Sequence, residues 1–451
     1  MTDTIAALAT RSGAAAIGIV RISGPRAADV LRRVVPKTRA VSRPRRISFG
    51  RAHHPESGTL IDEVVCVYAP APHTATGEDV AEIHGHGGTL VMRALLDATL
   101  LAGARLAHPG EFSSRAFAHG RMDLTQAEAL MALIGARSDK AARLAARHLS
   151  GAVGQGLADE YDALTDIAAA LEASLDFPDE DLPAPQAAQL RQRLTDTLGR
   201  LSTVRDSYQL GDRLMRGAAI VICGKTNAGK SSLLNRLARE DRALVDETPG
   251  TTRDIVTASG EIDGIPVTYL DTAGFRASPE RIEQRGIEKS QQALQRADVA
   301  LLVIDGVDNA ATNWQSYLPP LSCPVIAVHN KCDQPGFAVR PISLPDGPSL
   351  SLSISALEGT GIDALEAALS RMLQGETDAS SVILTTARQH QLVKEATVAL
   401  ERGLAALRSD MPAELVAADV REAREALAEL WGRHAEGDVI DRIFSTFCLG
   451  K

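Results

Sequence analysis

The 451-residue chain predicts a multidomain fold, α+β at its start and α/β further on, with helices on both sides of the α/β part. Three observations predict it. Through the first 120 residues, β-branched runs alternate with a proline-led amphipathic run. Helix-spaced apolar residues dominate from about 121 to 213 and return after 376. Between these stretches, apolar runs each precede a loop or helix, the texture of a parallel sheet covered on both faces. The expected boundaries are 1–120 for an N-terminal domain, 121–213 for the first part of a helical domain, 214–375 for an inserted α/β domain, and 376–451 for the second helical part.

The elements follow in order. "AIGIVRIS" (16–23) and "LIDEVVCVYAP" (60–70) read as strands, and "PRAADVLRRVV" as a helix opened by proline. Thr125 and Glu128 have the spacing of a capping box, with Leu124, Ala127, Met131 and Ile134 on one helical face. Leu157, Tyr161, Leu164, Ala168, Leu171 and Leu175 repeat that spacing, as do Leu190, Leu194, Leu198 and Leu201. "FPDEDLPAP" (177–185) separates these two helices, because three prolines and an acidic run cannot continue one. "AAIVICG", "VTYLD", "VALLVID", "PVIAVHN" and "SLSIS" are the strands of the α/β part. The apolar rows Leu392, Ala396, Leu400, Leu404, Leu407 and then Val420, Leu427, Leu430, Trp431 resume the helical pattern.

Composition narrows the function classes. Lys and Arg number 48 against 57 Asp and Glu, so the net charge of −9 excludes a generally basic nucleic-acid binder. Any RNA contact must be local; the segment 32–51, with eight Lys/Arg and no acid, could touch RNA, but such a charge run reads first as a solvated face or a disordered arm. Five widely spaced cysteines fit reduced thiols better than a disulfide frame. Neither a signal peptide nor a stretch of ~18 apolar residues is recognisable, so a cytoplasmic protein with no membrane contact is expected.

"GKTNAGKS" (224–231) stands between a strand and a helix, the context a phosphate-binding loop requires. Gly224 and Gly229 let backbone N–H groups wrap phosphates at a helix N-terminus, Lys230 reaches the β- and γ-phosphates, and Ser231 ligates Mg²⁺. Asp271, ending the strand before "DTAG", is placed for the Mg²⁺ shell, and the Gly274 amide for the γ-phosphate. Thr252 in "GTTRD" offers a further hydroxyl ligand. Asp333 in "NKCD" can accept from guanine N1–H and its 2-amino group; adenine lacks that donor pair, and such polar sites reject analogues by ~10⁴-fold or more. Expected GTP contacts are therefore Asn227, Ala228, Gly229, Lys230, Ser231 and Ser232; Asp246, Glu247, Thr248, Pro249, Gly250, Thr251 and Thr252; Asp271, Thr272, Ala273 and Gly274; Asn330, Lys331 and Asp333; and Ser355, Ala356 and Leu357. This order of motifs predicts a Ras-like P-loop G domain.

Phe275 stands where Ras-like GTPases place the glutamine that orients water. Asn227, with carbonyls of 246–252, could hold a monovalent cation against the phosphates, or simply shape the loop. Glu283 could orient the water, or be one solvated charge among several. Arg253 and Arg276 are candidate fingers in cis.

The full chain resembles the MnmE (TrmE) family of tRNA modification GTPases. Beyond the generic GTPase motifs, the resemblance rests on "DTIAALAT" (3–10), "IGIVRISGP" (17–25), "TGEDVAEIHGHGG" (76–88), "HPGEFSSRAFAHGRMDLTQAEAL" (108–130), "ETPGTTRDI" (247–255) and the terminal "FCLGK". It implies an N-terminal folate-binding and dimerisation domain, a discontinuous helical domain, and a potassium-dependent GTPase activated when G domains dimerise. It also implies an FAD-dependent partner, MnmG (GidA), in a heterotetramer, and an aminomethyl or carboxymethylaminomethyl group added at C5 of the wobble uridine of certain tRNAs. A 5-formyl- or methylene-tetrahydrofolate would supply the carbon. Carried over by residue, Asn227, Asp246, Thr248 and Thr251 hold K⁺, Ser231 and Thr252 hold Mg²⁺, and Glu283 orients water. Arg21, Glu82 and Lys451 hold folate, with Arg121 where the family usually has lysine.

The alternative is a regulatory or ribosome-assembly GTPase switch, Era- or Der-like, without modification chemistry. Such proteins usually carry a basic RNA-binding module, whereas the C-terminal region here is acidic to neutral. The tail "CLGK" is a poor lipidation box, with glycine where an aliphatic residue belongs and no polybasic run before it. The apolar "IFSTF" before it predicts that residues 442–451 fold back toward the folate pocket, with Lys451 in it and Cys448 a candidate for chemistry there.

Overall fold

The structure is a computed structural model and describes residues 3–10, 13–176, 187–238, 257–271, 297–308, 323–339, 342, 350–375, 382–409, 411–433, 437–448 and 450. The chain divides into two compact units: one of residues 1–131, 148–154 and 424–451, the other of 132–147 and 155–423.

The first unit is built on a six-stranded mixed sheet. Its strands are β1 (Ile5–Leu8), β2 (Ile17–Ser23), β3 (Ser48–His53), β4 (Leu60–Ala69), β5 (Val80–His86) and β6 (Arg105–Leu106), in the order β3-β4-β5-β2-β1-β6. Helices α1 (Ala27–Val34) and α2 (Thr89–Leu101) join its core, where Val20, Ile22, Leu31, Ile83 and Leu95 are fully buried. The two strands and the proline-led helix read from the sequence are β2, β4 and α1. After α3 (Glu111–Ala118), α4 (Leu124–Gly135) begins with a capping box two residues before the expected one. The Gln126 N–H donates to Asp123 Oδ1 at 2.9 Å, and the Asp123 N–H to Gln126 Oε1 at 3.0 Å. Thr125 already lies inside the first turn and its hydroxyl donates to Asp123 Oδ1. Asp123, not Thr125, precedes the helix, so it takes the cap.

The unit's last helix, α14 (Gly437–Ser445), packs against α3, burying Phe444 and Phe447 with Leu124 and Ala127. Phe444 tilts against Phe117 at 6.1 Å and against Phe447 at 5.3 Å between ring centroids.

The second unit holds the other sheet: β7 (Ala218–Gly224), β8 (Thr257–Ile262), β9 (Ile265–Asp271), β10 (Val299–Asp305), β11 (Val325–Asn330) and β12 (Leu350–Ser353). Their order is β12-β11-β10-β7-β9-β8, parallel except for the β8–β9 hairpin. Each strand expected of the α/β part is present, and β8 is the antiparallel edge strand the sequence did not reveal. Helices α10 (Lys230–Ala238) and α11 (Ile362–Gln374) share its core. The remaining helices are α5 (Asp139–Leu149), α6 (Ala152–Gly156), α7 (Ala158–Asp176), α8 (Ala187–Asp206), α9 (Tyr208–Arg216), α12 (Ala387–Arg408) and α13 (Ala413–Leu430).

Helix α8 precedes the α/β part and α12 follows it, yet they pack together. Ser207 Oγ donates to Val382 O at 3.1 Å and accepts the Leu384 N–H at 3.0 Å, while Tyr208 stacks on His390 at 4.5 Å. The helical region is therefore discontinuous in sequence, and the α/β part is inserted into it. Among the described residues no helix is long and apolar enough to cross a membrane.

Candidate functional site

At the carboxyl end of β7 the chain makes a tight loop and enters α10, the place where an open α/β sheet binds its ligand. Asn227 holds a left-handed backbone (φ 66°) and Gly229 another (φ 94°). A side chain at 229 would overlap Asn330 Nδ2, so glycine is required there for space as well as conformation. Lys230 Nζ donates to the carbonyls of Gly224 at 3.2 Å and Lys225 at 3.0 Å, folded back across its own loop. Asn227, Ser231 and Ser232 are exposed and Ala228 is buried.

Asn330 binds the loop to the opposite side of the site. Its Nδ2 donates to Ala228 O at 2.8 Å, and its Oδ1 accepts the Ala356 N–H at 2.9 Å, both buried. The phosphate loop and the "SISAL" loop are thus held by one carboxamide. Ser355 is fully buried and its Oγ accepts the Glu358 N–H, whereas Leu357 and Asp333 are exposed at the rim. Lys331 (φ 68°) donates to Asp305 Oδ2 at 2.6 Å. Burial pushes the Asp305 pKa up, but the Lys331 hydrogen bond and the Val307 N–H outweigh it and leave the carboxyl below its usual range. Sequence reasoning did not single out Asp305; its signal is the acid ending "VALLVID".

Asp271 ends β9 opposite Ile222 of β7, at the same end of the sheet. Asp246, Glu247, Thr248, Pro249, Gly250, Thr251, Thr252, Thr272, Ala273, Gly274 and Glu283, with Arg253, Phe275 and Arg276, lie outside the described residues, as does Lys451.

In the first unit, cross-strand register brings two expected residues into direct contact. Arg21 of β2 faces Glu82 of β5, and Arg21 Nε donates to Glu82 Oε1 at 2.9 Å. His84 Nε2 lies 3.0 Å from Glu82 Oε2, and the Arg21 guanidinium lies 6.0 Å from the Phe112 ring centroid. The His84 hydrogen bond, together with Arg21, overcomes burial and lowers the Glu82 pKa to about 2. The sequence assigned the cation and the carboxylate separate ligand groups; the structure makes them one pair, with side chains 28% and 23% exposed. Arg121 is exposed and sits beside Gly77, in no hydrogen bond or ion pair with Arg21 or Glu82.

Near this pair lies a charge network, built around a buried arginine, that sequence reasoning missed. The wholly buried Arg115 pairs with Glu78 at 3.0 Å, Asp3 at 2.9 Å and Glu111 at 2.9 Å. Arg105 pairs with Asp3 and Glu111, and Ser23 donates to Glu78. Residues of "DTIAALAT", "RISGP", "TGEDV" and "HPGEF" therefore meet in one cluster, which fixes where β1, β2 and α3 present their side chains.

The tail joins the same unit. The Gly110 N–H reaches Cys448 O at 3.5 Å, and Gly450 (φ 91°) is so close to Leu8 O that any side chain there would overlap it. Cys448 is exposed, whereas burial pushes the Cys66 and Cys223 thiols up to about 12.

Comparison with known proteins matches residues 4–121 to the family model "GTP-binding protein TrmE N-terminus" and residues 124–448 to "MnmE helical domain". The chain is 40% identical to a protein of Symbiobacterium thermophilum, 38% to one of Sodalis glossinidius and 39% to one of Nitrosomonas europaea. Each alignment covers 100% of this chain and 99% of the relative, and each relative is named tRNA modification GTPase MnmE.

Proposed function

The chain belongs to the MnmE (TrmE) family, and from that premise we propose that it is a GTPase of tRNA modification. The observation that carries the nucleotide half is Asn330, which holds a phosphate loop and a base loop in one buried hydrogen-bonded frame. Lys230 leaves its loop carbonyls for the phosphates when nucleotide enters. Asp333 and Ser355 then read guanine, and Glu283 orients the attacking water.

The finer reading is a potassium-dependent hydrolase. Ser231 and Thr252, with Asp271 in the outer shell, hold Mg²⁺; Asn227 with Asp246, Thr248 and Thr251 hold K⁺. The exposed, left-handed Asn227 at the loop crest supports that assignment. Bound there, the two cations supply positive charge against the charge that develops on the phosphates, which for an arginine finger is worth ~10³–10⁵ in rate.

Arg21, Glu82, Arg121 and Lys451 hold a tetrahydrofolate whose one-carbon unit is the group transferred. A carboxylate held ionised suits the donor edge of a pterin, and its partial exposure leaves it able to meet one. Cys448 is the candidate for chemistry at that site. The chain acts as a homodimer with the FAD-dependent MnmG, in a heterotetramer in the cytoplasm, and modifies C5 of the wobble uridine. Its domains run 1–120, 121–213 with 376–451, and 214–375.

The test incubates the full chain with its FAD-dependent partner, GTP, K⁺, a folate donor and tRNA lacking the modification. Mass spectrometry of the wobble nucleoside is expected to show the added group. GTP hydrolysis without any modified nucleoside favours the Era- or Der-like switch instead. Equal hydrolysis rates in Na⁺ and K⁺ remove the cation role of Asn227.

A further inference from the structure

The segment 32–51 concentrates eight Lys/Arg in a chain of net charge −9. Four of them have partners: Arg32 pairs with Asp29, Arg51 pairs with Glu63, and Arg33 and Arg45 donate to the carbonyls of Ala102 and Pro70. The other four, Lys37, Arg39, Arg43 and Arg46, are exposed, and their side chains make no ion pair or hydrogen bond among the described residues.

The loop that presents them is folded. The Arg39 N–H donates to Ser48 Oγ at 3.0 Å, the Arg43 N–H to Arg39 O at 3.0 Å, and the Arg45 N–H to Tyr68 O at 2.7 Å, while Ala40 is fully buried. Arg45 itself is left-handed (φ 61°), a conformation that L-residues adopt at some cost and that these bonds hold. The backbone that presents the four cations is therefore folded rather than a loose arm, and their side chains reach out from it unpaired.

They border β3, the sheet's edge strand, beside which Ile47 is 77% exposed and on which Phe49 is 64% exposed. Clustered cations on a folded loop beside an exposed ring suit a polyanion with stackable bases. A second copy of this chain fits poorly, because a two-fold contact would set this basic patch against itself.

We infer that the 37–46 loop and the neighbouring face of β3 form a tRNA docking surface, with Lys37, Arg39, Arg43 and Arg46 on phosphates and Phe49 against a base. The inference rests on the reading that tRNA is the substrate.

Binding of an unmodified tRNA transcript to the full chain, measured from 50 to 200 mM KCl, tests it. Replacing Lys37, Arg39, Arg43 and Arg46 together by Gln is expected to weaken binding at least ~10-fold and to flatten the log–log salt slope by roughly 3, at 0.7–0.9 per lost phosphate contact. Phe49→Ala is expected to weaken binding ~5-fold or more with the slope unchanged. GTP hydrolysis without tRNA stays at the parent rate in all of them. Should the quadruple variant melt early, Arg43→Gln with Arg46→Gln is measured instead, with a slope change of about 1.5 expected. Unchanged affinity and slope overturn the inference. So does a change of oligomeric state by light scattering in place of a change in tRNA affinity. A parent chain that binds no tRNA contradicts the proposed function rather than the location of this surface.

Discussion

The phosphate loop and the Arg21–Glu82 pair, the two places proposed to hold an anion-bearing ligand, are built in different ways. The loop works through backbone: a left-handed Asn227, a glycine at 229 with no room for a side chain, and a carboxamide from Asn330 closing the frame. The N-terminal pair works through side chains that meet only because β2 and β5 lie in one register. Backbone sites are written in short, fixed spacings. Register sites are written in two strands about sixty residues apart, and a slip of one residue would turn each side chain to the other face.

That contrast predicts where substitutions hurt. The largest effect is expected from Gly229→Ala, which must displace Asn330 and break two buried hydrogen bonds, each costing about 1–3 kcal/mol when unmade. Titration with a fluorescent GTP analogue is expected to show binding weakened by about 100-fold, with the thermal midpoint of the first unit unchanged. A shift of that midpoint would show that the two regions are not independent.

Arg216→Ala comes next. Asp298 is buried and takes two hydrogen bonds from Arg216, one from Arg213 and one from the Ala219 N–H, so losing Arg216 leaves half of its compensation. Breaking a buried pair costs about 3–5 kcal/mol, and the surviving Arg213 places the expectation at the lower end in chemical denaturation.

Glu82→Gln probes the other region through pH. The native Glu82 pKa is lowered from 4.5 to about 2, so its stabilisation is complete above about pH 4.5 and fades as pH falls toward 2. At 1.36 kcal/mol per unit the parent chain is expected to lose up to roughly 3 kcal/mol more than the variant across that window, by denaturant melts at matched pH. Parallel curves would mean that His84 and Arg21 do not stabilise the carboxylate. The smallest effect belongs to Lys140→Ala. Its 2.8 Å pair with Asp263 is half exposed on both sides, and no more than about 1 kcal/mol is expected.

Legibility in the sequence follows the same division. The central α/β strands β7, β10 and β11 were readable because both their faces are buried, which makes continuous apolar runs; β8 was not, since "TASGEI" on an outer edge needs no such run. The α4 cap was read two residues late because Thr125 and Asp123 both suit a cap, and only the geometry shows which one precedes the first turn. The phosphate loop was readable by spacing alone. The Asp3–Glu78–Glu111–Arg115 network was not, because its members come from three separate segments and nothing in any one segment signals a buried arginine. The tail lay between these cases: its apolar residues signalled packing, but not that Phe444 would meet α3 or that Gly450 would lie against Leu8.

One chain is proposed to carry GTP hydrolysis and tRNA modification at separable sites, the second completed by the tail. Removing residues 448–451 and assaying both activities on the same preparation tests it most directly. The account predicts that modification of the wobble uridine falls by at least ~10-fold while the hydrolysis rate stays within about twofold, since tail contacts position a site rather than make the phosphate loop. Loss of both activities together, or of neither, would contradict it.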